Sequence, residues 1–155
     1  MFQGHSLCSL DEKQRIVLPL KFRKYLSPEA DNKLILTRGM DLSILVYPND
    51  AWEKMIAGLS RFNVFKSSHR SFVRQLLMYV NVCELDSHNR ILIPTQLMQF
   101  ANIKKEVVIN GLLDKFEIWD PETKNKYESQ LPESYEEMAE RASDLFFGTN
   151  KDESL

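Results

Sequence analysis

Cysteine is scarce in this 155-residue chain, with only Cys8 and Cys83, too few for a disulfide scaffold and without the paired spacing of a zinc site. Three histidines, His5, His69 and His88, show no metal-ligand spacing, and the five glycines build no phosphate-cradling loop. No nucleophile motif appears either, so the expectation is no enzyme, no metal and no cofactor. Long apolar runs are missing too: none approaches the ~18–20 residues that span a bilayer. Met1-Phe2-Gln3-Gly4-His5 lacks the basic-then-apolar pattern of a signal peptide. A cytoplasmic, reduced protein without membrane contact is therefore expected. What is present is ordinary globular material, 43% hydrophobic and 27% charged, which excludes disorder throughout. The length allows one ordinary domain or two very small ones.

The net charge of −2 hides an uneven distribution. From Asp120 onward ten acids meet four bases, a balance of −6, whereas residues 1–119 hold 16 bases and 12 acids, a balance of +4. Residues 61–75 carry Arg61, Lys66, Arg70 and Arg74 without any acid, and a second cluster is Lys13, Arg15, Lys21, Arg23 and Lys24. A basic body with an acidic tail suits a polyanion-binding surface. Solvated faces account for such clusters equally well.

The strongest signal is an internal repeat. Residues 8–19 (CSLDEKQRIVLP) and 83–94 (CELDSHNRILIP) share six of twelve positions at an offset of 75. Ordinary composition predicts about one. After Pro19 and Pro94, apolar residues recur at one helical face: Phe22, Tyr25 and Leu26, then Leu97, Phe100 and Ala101. Each proline fits the first turn of that helix, where its missing N–H costs nothing. Further on the offset becomes 72, aligning Gly39 with Gly111 and Tyr47 with Trp119, so the linker 27–33 is read as three residues longer than its counterpart.

The alternation predicts strands at 6–10, 15–18, 34–38 and 43–47, mirrored at 81–85, 90–93, 106–110 and 115–119. Two copies are too few for a solenoid, so they should pack as one pseudo-symmetric body. Asn49 or Asp50 is expected to cap a helix carrying Trp52, Met55, Ile56 and Leu59. A second helix from about Ser68 would bury Phe72, Leu76 and Tyr79. Asp120-Pro121-Glu122 reads as cap, first-turn proline and first-turn acid, and Ser134 with Glu137 as a capping box.

Between strands lie two like turns, Asp11-Glu12-Lys13-Gln14-Arg15 and Asp86-Ser87-His88-Asn89-Arg90. An Asp that opens a short loop can accept backbone N–H groups two or more residues on, so Asp11 and Asp86 are read as turn-formers. The closing arginine can pair with that Asp or reach out to phosphate and guanine edges. Chemistry alone leaves both open.

Met1-Phe2 with Gly4, the Leu10-Asp11-x-Lys13-x-Arg15 turn, Pro19, Asp86-x-x-x-Arg90 and Asp114–Trp119 together resemble the MraZ family over roughly residues 1–145. These are bacterial proteins with tandem copies of the swapped-hairpin fold related to AbrB and MazE. The resemblance implies an α+β, mostly-β pseudo-barrel of two AbrB-like (SpoVT-AbrB) repeats with connecting and C-terminal helices. Residues 1–60 would form the first repeat with its helix, 61–80 a basic connecting helix, 81–147 the second repeat with C-terminal helices, and 148–155 a frayed tail. It further implies a nucleoid-associated, DNA-binding transcriptional regulator, a ring-shaped homo-oligomer on tandem short repeats at the promoter of the division and cell-wall gene cluster. Its partners would be double-stranded DNA and further copies of itself. Arg15 and Arg90 are the DNA-contact candidates it points to, with Lys13 the motif lysine.

Lys21, Arg23 and Lys24 add charge on the first repeat, where the second has Gln96, Met98 and Gln99, so most phosphate contacts are expected from the first half. The turns depart from the family at the residue before the arginine, usually Gly and here Gln14 and Asn89. Gly adopts positive φ freely, Asn tolerates it and Gln does so poorly, so the sequence leaves open whether the first turn keeps the family's backbone. An antitoxin-like protein-binding module of the same fold is the alternative function.

Overall fold

The structure, a computed structural model, describes residues 1–148. The frayed tail expected over 148–155 lies outside the described residues except for Gly148. Contacts divide the chain into a body, Met1–Lys124, and a C-terminal unit that begins at Asn125.

In the body each repeat supplies four strands: β1 (His5–Ser9), β2 (Arg15–Val17), β3 (Lys33–Arg38) and β4 (Ile44–Pro48), then β5 (Asn81–Glu84), β6 (Arg90–Leu92), β7 (Glu106–Leu112) and β8 (Lys115–Trp119). They do not pair within their own repeats alone. A six-stranded antiparallel sheet runs β1-β7-β8-β4-β3-β5, and β2 pairs with β6 as a separate ribbon. The first strand of each repeat thus lies beside the third strand of the other. His5 opposes Asn110 and Ser9 opposes Glu106, while Lys33 opposes Glu84 and Leu36 opposes Asn81. Reading the order from either end gives the same arrangement with the repeats exchanged, and its pseudo-dyad passes between Leu45 and Glu117 and between Ile16 and Ile91.

Register corrects the repeat alignment. Arg38 opposes Ile44 and Gly111 opposes Phe116, so Gly111 matches Arg38 rather than Gly39. The offset is 75 in the ribbon, 73 in β3/β7 and 72 in β4/β8. The linker of the first repeat is therefore two residues longer, and the third extra residue belongs to the β3–β4 turn. Gly111 has its own reason: a Cβ there would lie 2.4 Å from the Gln3 nitrogen. The N-terminal segment crosses at that point, held by Phe2 N donating to the Leu113 carbonyl at 2.7 Å and Gly111 N to the Gly4 carbonyl at 2.8 Å.

Both repeats fill one core. Phe22, Leu34 and Ile44 from the first and Leu97, Ile109 and Phe116 from the second are fully buried, each contributing about 1.5–3 kcal/mol. Cys8 and Cys83 pack half-buried against this core, and desolvation pushes both thiols up from their ordinary value. They behave as small core side chains.

Helix starts differ from expectation by one residue. Pro19 and Pro94 precede α1 (Leu20–Arg23) and α4 (Thr95–Phe100) as N-caps instead of occupying the first turn. Their φ angles of −59° and −61° suit the entry, and their carbonyls accept the first helical N–H groups, from Phe22 and Leu97. Pro48 likewise caps α2 (Asn49–Leu59), a position given above to Asn49 or Asp50; Asp50 instead accepts the Ser27 hydroxyl at 2.8 Å. Trp52 of α2 packs edge-to-face on Tyr47, closing a second apolar cluster with Ile35 over the outer sheet face. In α3 (Ser67–Met78) Leu76 is buried as expected, whereas Phe72 is partly exposed and Tyr79 stands at the C-cap. The Leu76 carbonyl accepts the hydroxyl of buried Thr37.

Asp120 caps α5 (Pro121–Ser129), its Oδ2 accepting both the amide and the hydroxyl of Thr123 at 2.9 Å. In the C-terminal unit Ser134 caps α6 (Tyr135–Phe146) through the Glu137 amide. Arg141 pairs with Glu133 at 3.1 Å.

Candidate nucleic-acid interface

The two D-x-x-x-R turns have one geometry. Asp11 Oδ1 accepts the amides of Lys13 and Arg15, both at 2.9 Å, and Oδ2 accepts Arg15 Nε at 2.8 Å. Asp86 repeats this with His88 and Arg90 amides at 2.9 Å and Arg90 Nε at 2.6 Å. Gln14 and Asn89 both take the left-handed conformation, at φ 62° and 59°. The first turn is therefore not distorted relative to the second. Gln14 is held there by tertiary bonds: its carbonyl accepts the Ile93 amide, and its side-chain oxygen accepts the Thr95 hydroxyl at 3.1 Å.

The choice between pairing and reaching outward dissolves. Each guanidinium gives only Nε to its aspartate, and among the described residues neither has another partner. The terminal nitrogens keep their donors while the fork is held in one orientation. The ion pair shapes the carboxylates as well. Asp11 is lowered chiefly by the Arg15 amide, with the guanidinium and the Lys13 amide adding to it against desolvation. For Asp86 desolvation is the largest influence and acts upward, yet the Arg90 amide, the guanidinium and the His88 amide together outweigh it and bring the carboxyl down to about 2.

The ribbon brings the two arginines onto one surface. Arg15 opposes Leu92 and Arg90 opposes Val17, and directly opposed residues share a face. Ile16 and Ile91 point the other way into the core. The outward face is thus a two-by-two patch, arginines on one diagonal and exposed aliphatics on the other. Reasoning from sequence did not single out Val17 and Leu92; their signal is the period-2 alternation about Ile16 and Ile91. A two-stranded ribbon has the width that a B-DNA major groove admits.

The remaining basic candidates differ among themselves. Lys13 and Lys24 are exposed, the latter over the Tyr25 ring at 5.1 Å. Lys21 donates to the His5 carbonyl. Arg23 is part-buried, its Nε donating to the Leu18 carbonyl at 2.8 Å.

Comparison with known proteins agrees with this arrangement of tandem turns. A family model described as "MraZ protein, putative antitoxin-like" matches twice, over residues 1–75 and 76–146. The chain belongs to the MraZ family. Curated relatives are called transcriptional regulator MraZ. That of Halothermothrix orenii is 37% identical over 94% of this chain and 99% of its own, and that of Natranaerobius thermophilus is 39% identical over the same shares. The MraZ of Shewanella violacea is 40% identical over 77% of this chain and 80% of its own. In this MraZ chain both matched segments contain one complete turn. The exchanged strands mean that neither segment closes its share of the sheet without the other. No helix among the described residues is long and apolar enough to cross a membrane.

Proposed function

We propose that this MraZ-family chain regulates transcription by sequence-specific binding of tandem short repeats in double-stranded DNA, at the promoter of the division and cell-wall gene cluster. Arg15 and Arg90 read guanine edges through their terminal nitrogens, each fork aimed by its aspartate. Lys13, Lys21 and Lys24 hold phosphates, while Arg23 adds positive charge and secures the entry to α1 through the Leu18 carbonyl. The observation that carries the reading is the duplicated Asp–Arg lock on one ribbon face. The regulator is cytoplasmic, nucleoid-associated and not an enzyme.

The active form is a ring-shaped homo-oligomer. Two unlike halves give each subunit two different sides, which suits a heterologous contact that closes on itself. The apolar stripe of α6, with Leu145 and Phe146 over 80% exposed, adds a surface that assembly could bury. One ribbon reads few base pairs, so tight binding rests on several operator repeats engaged by neighbouring subunits.

The test is a gel shift of the protein's own upstream region, with single and tandem repeats compared at equal salt and molar mass measured by light scattering. Tandem repeats should bind far more tightly than one. A stable monomer at micromolar concentration, or equal binding of one repeat and several, would contradict the assembly. Absent DNA binding together with capture of a protein partner would favour the antitoxin-like reading.

A further inference from the structure

We infer that Val17 and Leu92 are a receptor for the 5-methyl group of thymine, set between the two arginines of the ribbon. This rests on the DNA-binding reading above and extends it to residues without charge.

Val17 and Leu92 are 54% and 53% exposed, although each is a paired residue, the last of its strand, in a formed ribbon. A single exposed aliphatic residue needs no explanation. Here the same register position, 75 residues apart, is aliphatic and exposed in both repeats, and strand exchange places the pair on one face. Each stands directly opposite an arginine of the other repeat, at the roughly 5 Å separation of cross-strand neighbours.

Two considerations decide what could cover this patch. Two side chains are far smaller than the ~1,000 Å² that a stable protein interface buries. A protein covering them would also have to satisfy two guanidiniums whose terminal nitrogens lack partners among the described residues. A base-pair edge meets both demands together. Guanine offers N7 and O6 to the arginine fork, and a thymine on a neighbouring pair presents a methyl group at the same groove depth. The patch therefore selects a step in which thymine adjoins guanine. Because each Arg–aliphatic pair draws on both repeats, the reading surface exists only in the exchanged fold.

The experiment replaces thymine by deoxyuridine, one position at a time, in a short duplex taken from the segment protected upstream of the protein's own gene. Deoxyuridine removes the methyl and leaves the hydrogen-bonding edge unchanged. Fluorescence anisotropy with the full-length wild-type protein should show binding weakened about three- to fivefold at thymines adjoining an essential guanine, and unchanged elsewhere. Val17→Ala and Leu92→Ala should weaken binding to the thymine duplex by a similar factor and lose that dependence on the methyl. Uniform tolerance of deoxyuridine by the wild type overturns the inference without needing any variant to fold. Variants that keep full deoxyuridine sensitivity overturn it too. Altered molar mass in both variants, with DNA affinity per assembled ring unchanged, assigns the patch to subunit contact instead. If the wild type binds neither duplex, the DNA-binding reading itself fails, and this inference falls with it.

Discussion

Asp86 and Arg90 are joined twice, by the Arg90 amide on Oδ1 at 2.9 Å and by Arg90 Nε on Oδ2 at 2.6 Å. Asp11 and Arg15 repeat the arrangement 75 residues earlier. One carboxylate therefore closes a turn with one oxygen and aims a guanidinium with the other. The two tasks are separable, because an amide in place of the carboxylate keeps an acceptor for the backbone and loses one for Nε.

Asp11→Asn and Asp86→Asn should accordingly retain the fold and bind promoter DNA more weakly, with relaxed preference at the guanine proposed above for each arginine. Asp→Ala at either position should lower thermal stability as well, since the turn amides then lose their acceptor. Thermal melts run alongside anisotropy titrations separate the two effects. Equal stability loss in Asn and Ala variants would count against the division of labour.

Arg15→Ala should weaken promoter binding more than Arg90→Ala, because Arg15 has Lys13 in its own turn and Lys24 on the same repeat, whereas Arg90 has His88. Each loss should be about 1–3 kcal/mol of discrimination at one base position. Lys24→Ala should leave site preference intact and flatten log K against log salt by about one unit. Salt titrations of the three variants check this. Wild-type affinity in Arg15→Ala, with a clear loss in Arg90→Ala, would make the second repeat the reader.

Acid stability should carry the signature of Asp86. Its carboxyl falls from 3.8 to about 2 in the fold. A depressed folded-state value means stabilisation that is fully present above the unfolded value and is lost as pH falls through about 2. Asp11 acts with the same sign. Melting temperature should drop between about pH 4 and pH 2 in the wild type, and Asp86→Asn should flatten that limb while matching the wild-type slope above pH 5. Circular dichroism melts across the range decide it.

Leu113 occupies the first position of the two-residue β7–β8 turn at φ 66° and is 61% exposed. A branched side chain in the left-handed region costs about 1–2 kcal/mol, partly offset by the entropy that glycine would add. Leu113→Gly should therefore stabilise the protein by about 0.5–1 kcal/mol, raising Tm by about 2–3 °C. Gln14→Gly should gain less, because Gln14 also accepts the Thr95 hydroxyl.

Much of this molecule is legible in its residues. The repeat at 8–19 and 83–94 announces two equivalent turns, and period-2 alternation places the strands to within a residue or two. Asp120 and Ser134 cap where their side chains can reach a free amide, a local event that local spacing predicts. The helices after Pro19 and Pro94 start one residue later than expected, since a proline entry works equally well on either side of the first helical position, whereas α2 starts directly after Pro48, with Asp50 bonded to Ser27 instead of capping.

Other features belong to the tertiary structure. Alternation tells Ile16 from Val17 but not which strand lies beside them, and two repeats of the same strand pattern present comparable edges to pair with. Only closure of a single core, with Phe22 and Leu97 from the two halves buried in it, accompanies pairing of β1 with β7 and β5 with β3. The same closure holds Gln14 in a conformation its own propensity disfavours, through the Ile93 amide and the Thr95 hydroxyl. It also sets Arg15 beside Leu92 and Arg90 beside Val17. Sequence by itself determined the turns, the strands and the arginines; the company those arginines keep was decided by non-local packing, because hydrogen-bonded pairing depends on which edges meet in space.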